Sequence, residues 1–388
     1  MTTTTTTTRD TTALSDITKI QNAPDGNFKR VASTFRDFIE EGGRFAPERD
    51  RYHLYVSYAC PWATRTLIVR KLKGLEDIIP LTVVSPRLGS DGWPFGDVDV
   101  FPGAEADPLI GARHVKDLYL SADPEYASRF TVPVLWDKKL NTVVNNESAE
   151  IVRIFNSAFN SLLPADKAAL DLYPAAHRAE IDELNEWVYS DVNSAWLSAR
   201  PRCLVSSLTA SIRSLSTLSV HAPHPRLTPS LLPALFSLPS FGPLIRPIPS
   251  PLTPVPPDGV YRAGFATAQE AYETAVTTVF AALDRLEARL TGKDFLVGGQ
   301  LTEADVRLFV TIVRFDTAYV GQFKCNIQTI RGGYPAIHAW LRKLYWTMPA
   351  FKDSTRFDHI KACYYGSQPN INPTRIVPVG PLPPVMPL

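Results

Sequence analysis

Residues 51–73 read RYHLYVSYACPWATRTLIVRKLK, and this stretch decides the fold. Its β-branched and aromatic side chains alternate up to Ser57, which is typical of a strand. Pro61 follows where a helix tolerates proline, because the first helical residue needs no partner for its N–H group. Apolar residues then recur at helical spacing up to Leu72. The stretch therefore predicts a strand, a turn and a helix, with Cys60 at the N-terminus of the helix.

Cys60 lies where the sequence favours a reactive thiol. The first N–H groups of a helix lack partners and the helix dipole is positive at that end, so both stabilise a thiolate. Three residues later the chain has Ala63 rather than a second cysteine. A disulfide formed at Cys60 must therefore be resolved by an external thiol. The alternative is a buried structural cysteine, the commoner fate of a single cysteine.

The composition of the 388-residue chain argues against several classes of function. Its net charge is +1, with 40 basic and 39 acidic residues. This balance gives no reason to expect nucleic acid or an anionic membrane surface as the partner. The four cysteines show neither a metal-ligand nor a disulfide pattern, so we expect no metal and a reducing compartment, the cytoplasm. They stand at positions 60, 203, 325 and 363.

The residues around the Cys60 helix predict an α/β domain. The run from Ile78 to Val84 predicts a second strand, parallel to the first, in a right-handed βαβ unit. A loop rich in Gly, Pro and Asp extends from Pro86 to Ile110 and carries Trp93, and loops of this length are usually functional. The other predicted elements are a short helix around Phe35 to Ile39, a helix from Val115 to Ser121, strands from Arg129 to Trp136 and from Leu140 to Val144, and a helix after Ser148.

Two segments of this domain favour contact with a peptide-like ligand. Pro133 interrupts a strand pattern, so it has to lie at an edge or a bulge, or follow a cis bond. Such an edge leaves the backbone of Val132 available to pair with the backbone of a ligand. The segment from Asn145 to Ser148 precedes a helix and offers donors for a carboxylate, and Glu147 can bind an amine. The alternative for this segment is an ordinary helix N-cap.

From Leu172 onward the sequence predicts helices. Thr302 and Asp305 form a capping-box pattern that starts one of them. The apolar residues recur at steps of three and four, so each helix has one face for a shared core. The predicted helices run from Ile181 to Val188, from Tyr272 to Leu290, from Val306 to Ala318 and from Pro335 to Trp346.

Two segments differ from the rest in composition. Residues 193–257 contain no acidic residue but 13 of the chain's 34 prolines. Since this composition fits neither a packed helix nor a sheet, we predict a disordered insertion, with a Pro-rich binding linker or translated non-coding sequence as the alternatives. Residues 1–27 open with a run of threonines and are predicted to form a disordered tail.

Taken together, the motifs resemble the glutathionyl-hydroquinone reductases, or xi-class glutathione transferases, which are relatives of the omega class. The resemblance covers about residues 44–193 and 258–381. Two departures are the insertion and Thr64, where many relatives have histidine. The matching motifs are SYACPWA from residue 57, DGW from 91, TVPV from 131, NES from 146, GVYRAGFA from 259, LTEADVRLFVTIVRFD from 301, FKCNI from 323, GYPAIHAWLR from 333, HIKACYYGS from 359 and INPTRIVPVGP from 371.

The resemblance implies the glutathione transferase fold. A thioredoxin-like α/β domain at 28–165 would bind glutathione, an all-α domain at 166–367 would supply a hydrophobic substrate site, and a tail would follow at 368–388. Cys60 would be the nucleophile and Tyr261 the proton donor and acceptor. Tyr319 and Tyr364, the latter with Tyr365 as the competing assignment, would lie near the cysteine and help to lower its pKa. The residues implied to hold glutathione are Trp93, Arg129, Phe130, Thr131, Val132, Glu147 and Ser148.

The same resemblance implies an activity. The enzyme would reduce glutathionyl-hydroquinones to hydroquinones through a Cys60–glutathione mixed disulfide, with glutathione as co-substrate, and release glutathione disulfide. A homodimer is expected on the same ground. One alternative is an omega-type thioltransferase or dehydroascorbate reductase that uses the same cysteine. The other is a non-enzymatic ligand-binding protein on the same fold.

Overall fold

The structure is a computed structural model that describes residues 33–193 and 259–388. The predicted tail at 1–27 and the predicted insertion at 193–257, apart from Asn193, lie outside the described residues. In the described ranges, no helix has both the length and the apolar character required to cross a bilayer.

A mixed four-stranded sheet forms the centre of the first half. β1 pairs in parallel with β2 and antiparallel with β3, which pairs antiparallel with β4. Leu54 stands opposite Leu81 on one side and Leu135 on the other. The predicted parallel unit and the predicted hairpin are both confirmed. The strands, in the spatial order β2-β1-β3-β4, are β1 (Tyr52–Val56), β2 (Leu81–Val83), β3 (Val134–Asp137) and β4 (Thr142–Asn145).

Helices cover this sheet, and every residue of β1 is buried although its sequence alternates. Both faces of the strand are therefore inside the protein, as expected of a strand at the centre of an α/β sheet. Residues 61–72 begin with proline, as predicted, and pack against the helix that follows β4. The helices of this half are α1 (Pro61–Leu72), α2 (Val115–Ala122) and α3 (Ser148–Ser157).

Two predictions for the first half need correction. The short helix around Phe35 to Ile39 is wrong, because this segment is extended and Arg36 bridges to Asn145 at the end of β4. The pairing gives Asp37 N–H an acceptor in the Val144 carbonyl, at 3.1 Å, so tertiary pairing outweighs the local helical spacing. The strand predicted from Arg129 starts only at Val134, after a cis Val132–Pro133 bond.

The described part of the second half is helical, as predicted. The predicted capping box is present at the start of its central helix, where the Asp305 carboxylate accepts the Thr302 N–H at 3.0 Å. Two helices continue into π-helical turns, at Tyr189–Asn193 and Phe315–Tyr319. The helices are α4 (Ala165–Ala169), α5 (Arg178–Val188), α6 (Gly259–Phe265), α7 (Gln269–Leu290), α8 (Glu303–Arg314), α9 (Ile330–Gly333), α10 (Pro335–Thr347), α11 (Pro349–Asp353) and α12 (Phe357–Gly366).

A buried carboxylate joins the two halves. Glu303, at the start of α8, accepts hydrogen bonds from Arg153 of α3 at 2.9 and 3.2 Å and from Asn185 of α5 at 3.0 Å. Arg307, one turn along α8, contacts the same carboxylate at 3.1 Å. Buried charges need such partners, because an unpaired one costs several kcal/mol. The network fixes α8 against the sheet domain, and α1 packs on α8 beside it.

Candidate active site

Cys60 is the N-cap residue of α1, in the turn that joins β1 to the helix. Its N–H donates to the Ser57 carbonyl at 3.1 Å, which closes the turn, and its carbonyl accepts the first helical hydrogen bond, from the Thr64 N–H at 3.0 Å. The thiol is half-buried and its Sγ lies 3.5 Å from the Val132 carbonyl. The fold thus presents the cysteine at the positive end of a helix, as the sequence predicts.

The segment from Arg129 to Val132 faces Cys60 and is held by tyrosines. The Tyr119 hydroxyl donates to the Thr131 carbonyl at 2.8 Å, and the Tyr126 hydroxyl donates to the Arg129 carbonyl at 2.9 Å. Phe130 is buried and packs on both rings. Within 33–193 and 259–388, no acceptor lies in hydrogen-bond geometry to the Val132 N–H. This N–H is therefore placed to pair with a backbone that runs past it.

Glu147 and Ser148 form the N-terminus of α3. The Glu147 carboxylate caps the helix by accepting the Ala149 N–H at 3.2 Å, and its own N–H donates to Asn145 Oδ1 at 2.7 Å. Ser148 is buried, 2% exposed, with its hydroxyl 3.5 Å from Glu147. The alternative interpretation as an N-cap is thus correct for Glu147. Its second oxygen accepts the Ser33 hydroxyl at 3.4 Å, and a carboxylate oxygen can accept more than one hydrogen bond.

Trp93 and Arg129 lie on the two loops beside α2. The Trp93 carbonyl accepts the Val115 N–H at the first residue of α2, at 2.9 Å, and its side chain is 9% exposed. Burial lowers the pKa of the Arg129 guanidinium, because an apolar environment disfavours the charged form. Both residues thus belong to the sheet domain, in the loops before and after α2.

Three tyrosines from three separate elements form a hydroxyl chain. Tyr364, on α12, lies in the middle, with its oxygen 2.5 Å from that of Tyr261 on α6 and 3.1 Å from that of Tyr319 after α8. Tyr365 points elsewhere and donates to the Thr317 carbonyl at 3.2 Å. The geometry therefore assigns Tyr364 rather than Tyr365 to this chain, which we call the tyrosine cluster (Tyr261, Tyr319 and Tyr364).

Phe323 lies against all three rings of the tyrosine cluster, with centroid separations of 5.0, 5.4 and 5.5 Å. α6 approaches this ring very closely at Gly264. A Cβ atom at that position would lie 2.2 Å from Phe323 Cδ1, far inside any van der Waals contact. The absence of a side chain at Gly264 thus allows Tyr261, on the same helix, to reach Tyr364.

Burial controls the electrostatics of the tyrosine cluster. It raises the pKa of Tyr319 to about 12 and the pKa values of Tyr261 and Tyr364 well above their usual range. A charge on Cys60 raises the pKa of Tyr261 and Tyr319 further, so the thiol lies within electrostatic range of both hydroxyls. The three hydroxyls are therefore protonated at neutral pH and can donate hydrogen bonds.

The other described cysteines have a different environment. Cys325 and Cys363 are buried, and burial raises the pKa of each thiol to about 12. Of the three cysteines in the described ranges, Cys60 alone is half-buried, and none of them forms a disulfide. Those ranges also contain no group of three His, Cys, Asp or Glu side chains that could hold a metal ion.

Sequence reasoning missed Arg314, the last residue of α8. Its guanidinium is fully buried and donates to the carbonyls of Tyr58 and Ala59, immediately before Cys60. A signal was available, because a lone arginine within the apolar pattern VTIVRF is a charge on a buried face. The residues that its guanidinium contacts beside Cys60, however, are at least 250 positions away in the chain, so they could not be inferred from spacing.

The sequence matches two family profiles. Residues 59–158 match the profile described as the N-terminal domain of glutathione S-transferase, and residues 269–343 match its C-terminal domain. Together with the relatives below, these matches show that the chain belongs to the glutathione S-transferase family, a family of enzymes.

Solved and curated relatives define the branch within this family. The xi glutathione-S-transferase of Phanerochaete chrysosporium is 54% identical, with a TM-score of 0.79 over 96% of this chain and 99% of that one. Glutathione S-transferase omega-like 2 of Schizosaccharomyces pombe is 46% identical over 93% of this chain and 96% of its own length. Glutathionyl-hydroquinone reductase YqjG of Escherichia coli is 42% identical over 92% and 89%, and its glutathione-bound structure has a TM-score of 0.70 over 92% of this chain and 94% of that one. The predicted resemblance to the xi class and the predicted fold are confirmed.

Proposed function

We propose that this enzyme reduces glutathionyl-hydroquinones with glutathione as the second substrate. The observation that carries the proposal is the pairing of one half-buried cysteine at a helix N-terminus with a protonated hydroxyl chain in electrostatic range of it. A thiol of this kind can take a sulfur substituent, and hydroxyls of this kind can bind a phenol and supply a proton. The activity named for the Escherichia coli relative is the same.

Glutathione would bind along the sheet-domain side of the site. Its peptide backbone would pair with Val132, whose carbonyl lies 3.5 Å from Cys60 Sγ in the segment before β3. Its γ-glutamyl amine would meet the Glu147 carboxylate, and the carboxylate beside that amine would meet Ser148 at the helix N-terminus. Phe130 and Thr131 shape the same segment, and Trp93 and Arg129 would complete the site from the neighbouring loops.

The first chemical step would be attack by the Cys60 thiolate on the glutathione sulfur of the substrate. The new S–S bond forms as the bond from sulfur to the aromatic carbon breaks, and the electron pair of that bond stays on the carbon. Tyr261 would donate a proton to this carbon, and its own hydroxyl would be reprotonated through Tyr364 or from solvent. The products are the hydroquinone and a Cys60–glutathione mixed disulfide.

The second step would restore the thiolate. A glutathione thiolate attacks the mixed disulfide, releases glutathione disulfide and leaves Cys60 reduced. Since position 63 is alanine, no neighbouring cysteine competes with the incoming glutathione. The sum of the two steps oxidises two glutathione sulfurs and reduces one quinol carbon, and it predicts ping-pong kinetics.

Mass spectrometry of the intact protein tests the proposal. Incubation with a glutathionyl-hydroquinone and no free glutathione is expected to add one glutathione, located at Cys60 by peptide mapping, and to release one hydroquinone. Turnover of glutathionyl-menadiol is then compared with turnover of dehydroascorbate. Faster turnover of dehydroascorbate in the presence of glutathione would favour an omega-type thioltransferase. No adduct with the glutathionyl-hydroquinone and no turnover of either substrate would favour a ligand-binding protein.

We also propose the domain division, assembly and location implied by the family. The sheet domain would span residues 28–165, the helical domain 166–367 around an insertion at 193–257, and tails would precede and follow them at 1–27 and 368–388. The three described cysteines, which form no disulfide, support a reducing compartment such as the cytoplasm. Limited proteolysis, gel filtration for the homodimer and cell fractionation test these three points.

A further inference from the structure

Arg314 clamps the turn that carries Cys60. From the end of α8 its Nη2 donates to the Tyr58 carbonyl at 2.9 Å and to Thr64 Oγ1 at 2.8 Å, and its Nε donates to the Ala59 carbonyl at 3.3 Å. Thr64 Oγ1 in turn donates to the Cys60 carbonyl at 2.9 Å. One guanidinium thus holds both residues before the cysteine and, through one hydroxyl, the cysteine itself.

Among the described residues, the charge of this clamp has no carboxylate partner. The four hydrogen bonds of Arg314 all end on neutral oxygens, the fourth on the Val310 carbonyl at 2.6 Å, and among the described residues no carboxylate forms an ion pair with it. Arg51, which is also buried, is by contrast paired, since it contacts Asp137 at 2.6 Å. A fully buried cation without a counter-charge is costly, so a negative charge formed nearby is stabilised by it.

The negative charge that the proposed reaction needs forms on the turn that Arg314 holds. Its field lowers the pKa of Tyr319, Tyr364 and Cys363 against the larger effect of burial. Cys60 itself interacts electrostatically with Arg65 on α1, Tyr261 on α6, Tyr319 after α8 and Cys363 on α12. The guanidinium therefore lies next to the thiol turn and the tyrosine cluster at once.

We propose that Arg314 is a positioning residue that holds the Cys60 turn and balances the charge of the Cys60 thiolate across the domain boundary. The inference rests on the proposed function only for the choice of Cys60 as the reacting group. It implies that the sheet domain carries the nucleophile while the helical domain sets its reactivity. Docking of α8 would then be required for a reactive thiol, not only for a substrate pocket.

The test is the pH dependence of Cys60 alkylation by iodoacetamide, quantified by peptide mass spectrometry in the full-length chain. Arg314→Met removes the charge, and we expect the midpoint of the rate profile to rise by about one pH unit, which lowers the rate about tenfold at pH values well below both midpoints. Arg314→Lys keeps a positive charge but loses the planar guanidinium that donates several hydrogen bonds, so we expect a smaller shift of the midpoint. Thr64→Val keeps the Arg314 charge but removes the hydroxyl that accepts from Arg314 and donates to the Cys60 carbonyl. It serves as the second variant if Arg314→Met does not fold, and we expect its midpoint to rise as well.

Arg70 provides the matched control. It is also a buried arginine on neutral oxygens, and it donates to the Ile79 carbonyl at 2.7 Å and the Glu76 carbonyl at 3.1 Å at the far end of α1. Arg70→Met should lower the thermal unfolding temperature without moving the alkylation midpoint. An unchanged midpoint in folded Arg314 and Thr64 variants, or an equal shift in Arg70→Met, would overturn the inference. The alkylation assay contains no quinol, so its result can be interpreted even if the proposed function is wrong.

Discussion

The two sides of the site use different chemistry. The sheet-domain side consists of a thiol, a backbone N–H and a capped helix N-terminus at Cys60, Val132 and Glu147, all of which suit a charged peptide. The helical-domain side consists of buried hydroxyls and an aromatic ring, which suit a flat phenol. In the proposed reaction each domain therefore recognises one half of a glutathionylated quinol. We therefore expect substitutions on the two sides to change different kinetic constants.

The largest effect on turnover is expected from removal of the Cys60 sulfur. Cys60→Ser should lower reductase turnover at least about a thousandfold, because a serine hydroxyl is neither ionised nor able to form a disulfide. Thermal unfolding should be nearly unchanged, since the side chain is half-buried. Steady-state kinetics and intact mass measure both. Retention of activity in Cys60→Ser, with Cys325→Ala as the control for general thiol loss, would refute the assigned nucleophile.

The next largest effect, on kcat, is expected from substitutions in the tyrosine cluster. Tyr261→Phe should lower kcat about a hundredfold, the usual contribution of a proton donor, while the mixed disulfide still forms in a slow single turnover. Tyr364→Phe should also lower kcat, because its hydroxyl joins the other two. Tyr365→Phe is the matched control, since its hydroxyl bonds to backbone groups, the Thr317 and Ala318 carbonyls among them, rather than to the tyrosine cluster. Equal losses in Tyr364→Phe and Tyr365→Phe would contradict the role of the cluster.

A smaller effect is expected on the peptide side. Glu147→Gln keeps an oxygen for the Ala149 N–H but loses the charge that would meet the glutathione amine. We expect KM for glutathione to rise about tenfold with kcat little changed, which is the pattern for lost ground-state binding. Glu150→Gln, three residues on, removes a carboxylate that pairs with Arg36 instead. If Glu150→Gln raises KM as much, Glu147 is only a helix cap.

The smallest effect concerns high pH. Tyr319 has a folded pKa of about 12 and an unfolded value of about 10, so the folded state holds the proton more tightly. Its contribution to the free energy of unfolding is fully present below about pH 10 and is lost as the pH rises through 12. Relative to Tyr319→Phe, the unmodified chain should lose about 1 kcal/mol by pH 11. Urea unfolding at pH 8 and pH 11 measures the difference, and equal losses in both proteins would contradict the raised value.

Local patterns predicted the Cys60 region of the sheet domain and the start of α8 well. The strand, the proline and the helix around Cys60 follow each other within 23 residues, and the capping box at Thr302 and Asp305 spans four. Such features depend on neighbours in the chain, so spacing and residue type are sufficient to find them. The helix predicted around Phe35 was wrong for the opposite reason, because the residue with which this segment pairs, Asn145, is remote in sequence.

The helical-domain side could not be predicted from spacing. Tyr364 and Tyr365 are neighbours on one helix, and about 100° of rotation separates their side chains, so only packing decides which one meets Tyr261. The π-helical turn that presents Tyr319 has no recognised sequence signature. Arg314 reaches the Cys60 turn only because α8 docks on α1. For the three tyrosines the family resemblance, not the residue pattern, pointed to the site, and neither of them pointed to Arg314.

The missing side chain at Gly264 limits which substitutions the protein can accept during evolution. Since α6 can rest on Phe323 only while position 264 lacks a side chain, a single extra methyl group would wedge the helix away and part Tyr261 from its neighbours. Selection for other aromatic substrates is therefore expected to act on the ring at position 323, where a smaller residue would open room, and to leave position 264 untouched. A mutational scan would show the first site as tolerant and the second as invariant.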